Sequence, residues 1–199
     1  MPIHSDLTTD LLLVDIDARV ATVTLHRPGQ RNALSRALQR DLRAAVTGGF
    51  ELALASDFLV ASERASFADT HARVGVMPGW GLTALLPEAI GVRRAREMSV
   101  TGNYLDARTA AEWGLVNHVV AHDELLPFCH GLAADIVSND RDGVRQMLDT
   151  YQQVVGRTPD DARSVEATIS ARWMRERHDP AAVEERRRGI VERGRSQQG

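Results

Sequence analysis

The chain has 199 residues, a net charge of −3 and a pI near 6.2. This length predicts one compact domain or a core with an appendage, and the charge offers no electrostatic case for a nucleic-acid partner. The single cysteine, Cys129, excludes an intramolecular disulfide framework and indicates a cytoplasmic protein, while the lack of a signal-peptide core or of an apolar run near about 20 residues predicts no membrane association.

The N-terminal quarter predicts a β-hairpin followed by a helix. Residues 11–17 and 20–26 are β-rich runs separated by two residues, which is typical of a hairpin. Pro28 and Gly29 end the second strand in a turn. Ser35 is predicted to cap a helix that runs to about Val46.

The remainder of the chain predicts short strands among many helices. A short buried strand is expected at 57–62 and another strand at 115–120, with helices near 82–89 and 93–100. Asp106 is predicted to cap a further helix that Gly114 ends. The pattern is helical from Asp123 onward, and the charged run at 186–195 is interpreted as a solvated or subunit-facing helix.

Two glycines and one carboxylate mark the most informative segment of the chain. Gly48 and Gly49 open an apolar run in which Glu51 is the only charged residue before Asp57. Glycines at a helix start allow a ligand to approach N–H groups that carry partial positive charge. The segment therefore indicates an acid/base carboxylate beside a carbonyl-polarising loop. A tight turn followed by a solvated glutamate is the alternative, and this segment alone does not decide between them.

Four blocks of the chain form a recognisable series. They are Gly48-Gly49-Phe50-Glu51-Leu52-Ala53, Ala65-Ser66-Phe67-Ala68, Gly75-Val76-Met77-Pro78-Gly79-Trp80-Gly81 and Leu115-Val116-Asn117-His118-Val119-Val120. Together they resemble the enoyl-CoA hydratase/isomerase (crotonase) family, and they occur in the family's order along nearly the whole chain. An upstream turn at 26–35 resembles the family's early CoA-contacting turn.

The resemblance implies an α/β fold with a crotonase-like ββα spiral core at 1–120 and a C-terminal helical region at 121–199. Family members assemble through that region, so a homotrimer or homohexamer is expected. The implied activity acts on an acyl-CoA thioester, whose carbonyl is polarised by backbone N–H groups that include one from Gly48 or Gly49. Glu51 would carry the acid/base chemistry. No metal or redox cofactor is implied, and coenzyme A enters only as part of the substrate.

The resemblance also implies substrate-binding residues on the early turn and on the glycine-rich loop. Arg27 and Arg31 are candidates for contacts with phosphates, although solvation at the surface is an alternative for both. Trp80 is predicted to line the acyl pocket, with core packing as its alternative. The full predicted substrate-binding set is Arg27, Arg31, Ala33, Leu34, Gly49 and Trp80.

One position departs from the chemistry of family hydratases. Those enzymes hold a water between two carboxylates, and Glu51 matches the first. The position of the second is occupied by His71, which could exchange protons or could be a hydrogen-bonded residue of the pocket wall. Asp69 is a weaker candidate for the missing carboxylate, and it would share a side with His71 if this run were extended. Hydratase activity is therefore left open, with isomerisation or hydrolysis of an acyl-CoA as alternatives.

A second departure lies between Val46 and Thr47. There the family pattern continues for several dozen residues that have no counterpart, including the loop with the first oxyanion N–H. The predicted helix would also meet the next helix start with almost no connection. Either the printed sequence omits an intervening segment or the chain is a deletion variant. The first explanation is favoured because the flanking blocks follow the family. A true deletion would favour a non-catalytic acyl-CoA-binding protein.

Overall fold

The computed structural model describes residues 12–25, 49–177 and 179–196. The contacts between residues divide the chain into two compact units, 1–138 and 139–199. The division expected from the family, between residues 120 and 121, stays a prediction. The helix predicted at 35–46 and the junction of Val46 with Thr47 lie outside the described residues.

The N-terminal hairpin is confirmed. Strand β1 (Leu12–Asp17) pairs antiparallel with β2 (Val20–Leu25), and Asp17 lies opposite Val20. The two turn residues, Ala18 and Arg19, have φ values of 45° and 67°. Positive φ at both positions gives a two-residue loop the twist that the flanking strands require. The Arg19 guanidinium also donates to the carbonyl oxygen of Val137 at 3.1 Å.

A short parallel pair of strands follows helix α1 (Gly49–Leu54). Strand β3 (Val60–Ser62) pairs with β6 (His118–Val120). Both strands begin later than predicted. Just before the paired strands, Asn117 and Leu59 are joined by two hydrogen bonds. The Asn117 side-chain oxygen accepts the Leu59 N–H at 3.1 Å, and the Asn117 backbone N–H donates to the Leu59 carbonyl at 2.8 Å.

The capped helix predicted after Asp106 is confirmed. Strand β4 (Ser66–Phe67) pairs antiparallel with β5 (Leu105–Asp106), which leads into α5 (Ala107–Trp113). Asp106 accepts a hydrogen bond from the Thr109 N–H at 2.9 Å. Gly114 ends the helix in the left-handed conformation with φ of 86°.

The apolar core of the first unit is built around helix α3 (Leu82–Ile90). Its fully buried residues recur every fourth position, which places them on one face. This face meets α4 (Val92–Thr101), and the short helix α2 (His71–Val74) also packs on α4. The buried core residues of these elements are Leu82, Leu86, Ile90, Ala95 and Met98.

The C-terminal part is helical, as predicted. A 3₁₀ turn at His122–Glu124 precedes α6 (Leu125–Val137), which belongs to the first unit and carries Cys129, whose thiol has its pKa raised by burial. The second unit contains α7 (Arg141–Val154), α8 (Pro159–Arg177) and α9 (Pro180–Ser196). None of the described helices combines the length and the apolar composition that a membrane span requires.

Truncation of Leu86 should strongly lower the stability of the protein, because this residue is 0% exposed in the core. Leu86→Ala should lower the free energy of unfolding by about 2–5 kcal/mol, because it removes buried methyl groups and leaves a cavity. Leu126→Ala is the matched control, because Leu126 is 60% exposed and should change stability by less than about 0.5 kcal/mol. Urea unfolding measures both variants, and equal losses would contradict the proposed core.

Candidate active site

Glu51 is a buried carboxylate at the third residue of α1. It is 7% exposed. Its Oε1 accepts hydrogen bonds from the backbone N–H of Trp80 at 2.8 Å and from that of Leu82 at 3.4 Å. Gly81 lies between these donors with φ of 106°, a conformation that favours glycine. The loop before α3 thus aims two N–H groups at one oxygen of Glu51, and burial is compensated by hydrogen bonds.

His71 lies against the other oxygen of Glu51. Its Nε2 is 3.9 Å from Glu51 Oε2, and its side chain is 28% exposed. On the opposite edge of the ring, Nδ1 lies 2.6 Å from Asp69 Oδ1. The structure therefore brings together Glu51 and His71, two of the predicted catalytic residues, and adds Asp69 as a third member.

Asp69 meets His71 through a local turn. The His71 backbone N–H donates to Asp69 Oδ1 at 3.1 Å, the bond of an Asx turn. Residue 71 begins α2, so the run is not extended there, which was the condition for placing Asp69 and His71 on one side. The Asx turn brings the aspartate back to the residue two positions ahead instead.

Asp69 is stabilised as a buried anion. It is 3% exposed. Burial acts to raise its pKa, but hydrogen bonds from the Ser99 hydroxyl and from the His71 ring and backbone, with the attraction of His71, hold the pKa below its ordinary value of 3.8. The charge of Asp69 is thus maintained without exposure to water.

Ser99 and the N–H groups of Trp80 and Leu82 were not predicted from the sequence. Ser99 lies inside helix α4, thirty residues after Asp69, and no local motif links the two residues. The two backbone donors depend on how the loop before α3 folds over α1. Only tertiary structure carries this information.

The other predicted site residues are partly described. Gly49 is exposed and begins α1 with φ of 43°. Trp80 is 37% exposed, and the adjoining loop carries apolar side chains that are more exposed still, at Val76 and Met77. The roles of Gly49 and Trp80 in substrate binding stay predictions. The remaining candidates, Gly48, Arg27, Arg31, Ala33 and Leu34, lie outside the described residues.

The arrangement is suited to moving protons. It contains a carboxylate with one oxygen satisfied by N–H donors, an imidazole with one donor and one acceptor nitrogen in its neutral form, and a second, buried carboxylate behind that ring. Within residues 12–25, 49–177 and 179–196, no group of three or more His, Cys, Asp or Glu side chains is arranged to hold a metal ion.

The comparisons with known proteins agree on one family. Residues 43–194 match the family model described as enoyl-CoA hydratase/isomerase. The fold is similar to the crystal structure of an enoyl-CoA hydratase from Mycobacterium tuberculosis, with a TM-score of 0.70 and 38% identity over 81% of this chain and 95% of that chain. The predicted crotonase-like α/β fold is thereby confirmed.

Two curated proteins show the same relationship over shorter stretches. The Arabidopsis thaliana protein named "Probable enoyl-CoA hydratase 1, peroxisomal" is 50% identical over 97 residues, which are 49% of this chain and 37% of that protein. The carnitinyl-CoA dehydratase of Salmonella paratyphi A is 38% identical over 105 residues, which are 53% of this chain and 40% of that protein. The matched part of the chain therefore spans about two fifths of the length of these relatives.

The lowered pKa of Asp69 predicts a loss of stability in acid. A carboxyl group whose pKa falls on folding stabilises the native state above its unfolded value of 3.8, and this contribution disappears as the pH falls through the folded value. Asp69→Asn keeps an acceptor for His71 but lacks the charge. The difference in unfolding free energy between the wild-type protein and this variant should therefore shrink between pH 6 and pH 3 in urea titrations. A difference that stays constant over this range would contradict the assignment.

Proposed function

The chain belongs to the enoyl-CoA hydratase/isomerase family, and we propose that it hydrates an α,β-unsaturated acyl-CoA thioester or catalyses the reverse dehydration. One observation carries the proposal: Glu51 Oε2 and His71 Nε2 face each other at 3.9 Å. The other polar atom of each side chain already has a partner, since Glu51 Oε1 accepts two N–H groups and His71 Nδ1 bonds to Asp69. The facing atoms are thus the ones positioned for chemistry.

The separation of the two facing atoms is suited to one water molecule. It is too long for a direct hydrogen bond, and a polar gap of this size is commonly bridged by water. A water donating one hydrogen to Glu51 Oε2 and the other to His71 Nε2 would present its lone pairs to a substrate above the two residues. This is the role that a pair of carboxylates plays in the hydratases that the sequence resembles.

Hydration then requires two proton transfers. One of the two residues takes a proton from the water as its oxygen bonds to the β-carbon of the substrate. The electron pair of the double bond moves towards the thioester carbonyl and forms an enolate. The proton taken from the water then passes from the residue that holds it to the α-carbon, so that H and OH of one water molecule are added and both residues regain their starting protonation. Dehydration runs through the same steps in reverse, which is the direction that the name of the Salmonella relative states.

The remaining parts of the proposal concern the substrate and its surroundings. Backbone N–H groups, including one from Gly48 or Gly49, would polarise the thioester carbonyl, and no cofactor beyond the coenzyme A of the substrate would be needed. We also propose a homotrimer or homohexamer in the cytoplasm, with no nucleic-acid or membrane partner. The Arabidopsis relative is named as peroxisomal, so the cellular compartment of this protein should be determined directly by microscopy or cell fractionation.

A second candidate function is hydrolysis of the thioester. The observation that favours it is the Asp69–His71 pair, because a carboxylate behind an imidazole is an arrangement that activates a nucleophile for acyl transfer. The two activities give different products. Hydration removes the absorbance of the conjugated thioester without releasing a thiol, whereas hydrolysis releases coenzyme A, which a thiol reagent detects.

Glu51 should be required for turnover. Glu51→Gln preserves an oxygen for the Trp80 and Leu82 N–H groups but cannot exchange a proton, so the rate of crotonyl-CoA hydration should fall about 10²–10⁴-fold. Glu112→Gln is the control, because the Glu112 side chain is 62% exposed on α5. The fall in absorbance of crotonyl-CoA gives both rates. A Glu51→Gln rate equal to that of the control would remove Glu51 from the mechanism.

His71 should be the second proton-transfer group. His71→Gln keeps a polar side chain but does not titrate near neutral pH, so hydration should again fall about 10²–10⁴-fold. His130→Gln, at an exposed position on α6, is the matched control. If His71→Gln hydrates as fast as this control, Glu51 acts without His71. Hydration would then depend on Glu51 alone, and His71 would be a hydrogen-bonded residue of the pocket wall.

A further inference from the structure

We propose that Asp69 is a positioning residue, anchored by Ser99, that fixes the His71 ring with its proton on Nδ1 and the lone pair of Nε2 directed at Glu51. The assignment of the tautomer rests on geometry alone. Its catalytic consequence rests on the proposed function, because only there does His71 exchange a proton with the reacting groups.

The tautomer follows from the hydrogen-bonding capacities of the partners. A neutral imidazole has one donor nitrogen and one acceptor nitrogen, whereas an ionised carboxylate only accepts. Because Asp69 Oδ1 lies 2.6 Å from Nδ1, the proton belongs on Nδ1, and Nε2 is then an acceptor. The same oxygen accepts the His71 backbone N–H, so both the ring and its main chain are fixed to one carboxylate atom.

Helix α4 and Gly102, the residue that ends it, anchor this arrangement at two points. The Ser99 hydroxyl bonds to the Asp69 carboxylate, which is 3% exposed and therefore exchanges little with water. On α2, the helix that His71 begins, the Arg73 Nε donates to the carbonyl oxygen of Gly102 at 3.2 Å. The carboxylate and the helix that bears His71 are thus held to the same element.

Two carboxylates face the His71 ring. Glu51 faces the ring from α1, and Asp69 faces it from the preceding turn. Arg73, the nearest cation along the chain, points its guanidinium at Gly102 and Asn103 instead. A proton that reaches Nε2 therefore produces an imidazolium between two carboxylates, whereas the opposite tautomer would place an N–H where the lone pair is needed.

The test measures the tautomer directly in the full chain. Protein labelled with ¹⁵N at histidine is examined by long-range ¹H–¹⁵N correlation spectra, which separate a protonated ring nitrogen from an unprotonated one. The His71 signals among the seven histidines are assigned from their loss in His71→Gln. In the wild-type protein near neutral pH, we expect His71 to carry its neutral-state proton on Nδ1.

Three variants separate positioning from plain destabilisation. Asp69→Ala removes the acceptor and should shift His71 towards the Nε2–H tautomer, with kcat falling at least about tenfold and KM changing less than about twofold. Asp69→Asn retains an oxygen acceptor, so both the His71 tautomer and kcat should lie between those of the wild-type protein and Asp69→Ala. Ser99→Ala retains the carboxylate and should give a smaller change in the same direction.

The control is Asp106→Ala. Like Asp69, Asp106 accepts one backbone N–H and one hydroxyl hydrogen. Both come from Thr109, at the start of α5 and away from His71. It should lower stability and leave the His71 spectrum unchanged. The inference is overturned if His71 has the same tautomer in Asp69→Ala as in the wild-type protein. If Asp69→Ala does not fold, the same comparison is made with Ser99→Ala. If the tautomer shifts but the wild-type protein hydrates no enoyl-CoA, the inference stands and the proposed function fails.

Discussion

The site depends on the burial of the Glu51 carboxylate beneath the loop that leads into α3. A buried carboxylate without partners would cost several kcal/mol. The Trp80 and Leu82 N–H groups offset that cost at a single oxygen, Oε1. The Leu82 N–H is free to do so because it lies at the first residue of α3, where N–H groups have no intrahelical acceptor, whereas Trp80 donates from the loop just before the helix. The same contact that stabilises α1 against α3 therefore determines which oxygen of Glu51 is left for chemistry.

Helix α4 provides the second constraint. It packs on α3 through the apolar core and also contacts α2, so burial of apolar side chains contributes to its position. Ser99 within this helix and the carbonyl of Gly102 at its end interact with Asp69 and Arg73. Groups that must hold proton-transfer geometry within fractions of an ångström benefit from such support, because a helix moves less than a loop.

The sequence predicts the parts of this molecule whose causes are local. The hairpin, the Asp106 cap, the Gly114 helix end and the choice of Glu51 and His71 as site candidates all follow from turn chemistry, capping or a recognisable motif. Asp69 was a weaker candidate for the missing carboxylate, but its bond to His71 was not predicted, because it depends on an Asx turn that the sequence analysis did not identify. Ser99, Trp80 and Leu82 could not be predicted as partners, because each meets its carboxylate across about thirty residues of intervening chain.

If His71 occupies the position of a hydratase carboxylate, as the resemblance implies, the Asp69–His71 pair offers a physical reason why it can do so. A neutral imidazole bonded to an ionised aspartate has a net charge of −1, the charge of a single carboxylate. The atom of this pair that accepts a proton is Nε2 instead of a carboxylate oxygen. The imidazole ring separates Nε2 from the negative charge on Asp69. Glu51 and the Asp69–His71 pair together carry the same charge as two carboxylates. One of the two charges lies on the buried Asp69, which Ser99 stabilises, and not on the atom that faces Glu51. The replacement therefore changes which atom meets the proton more than it changes the electrostatics of the site.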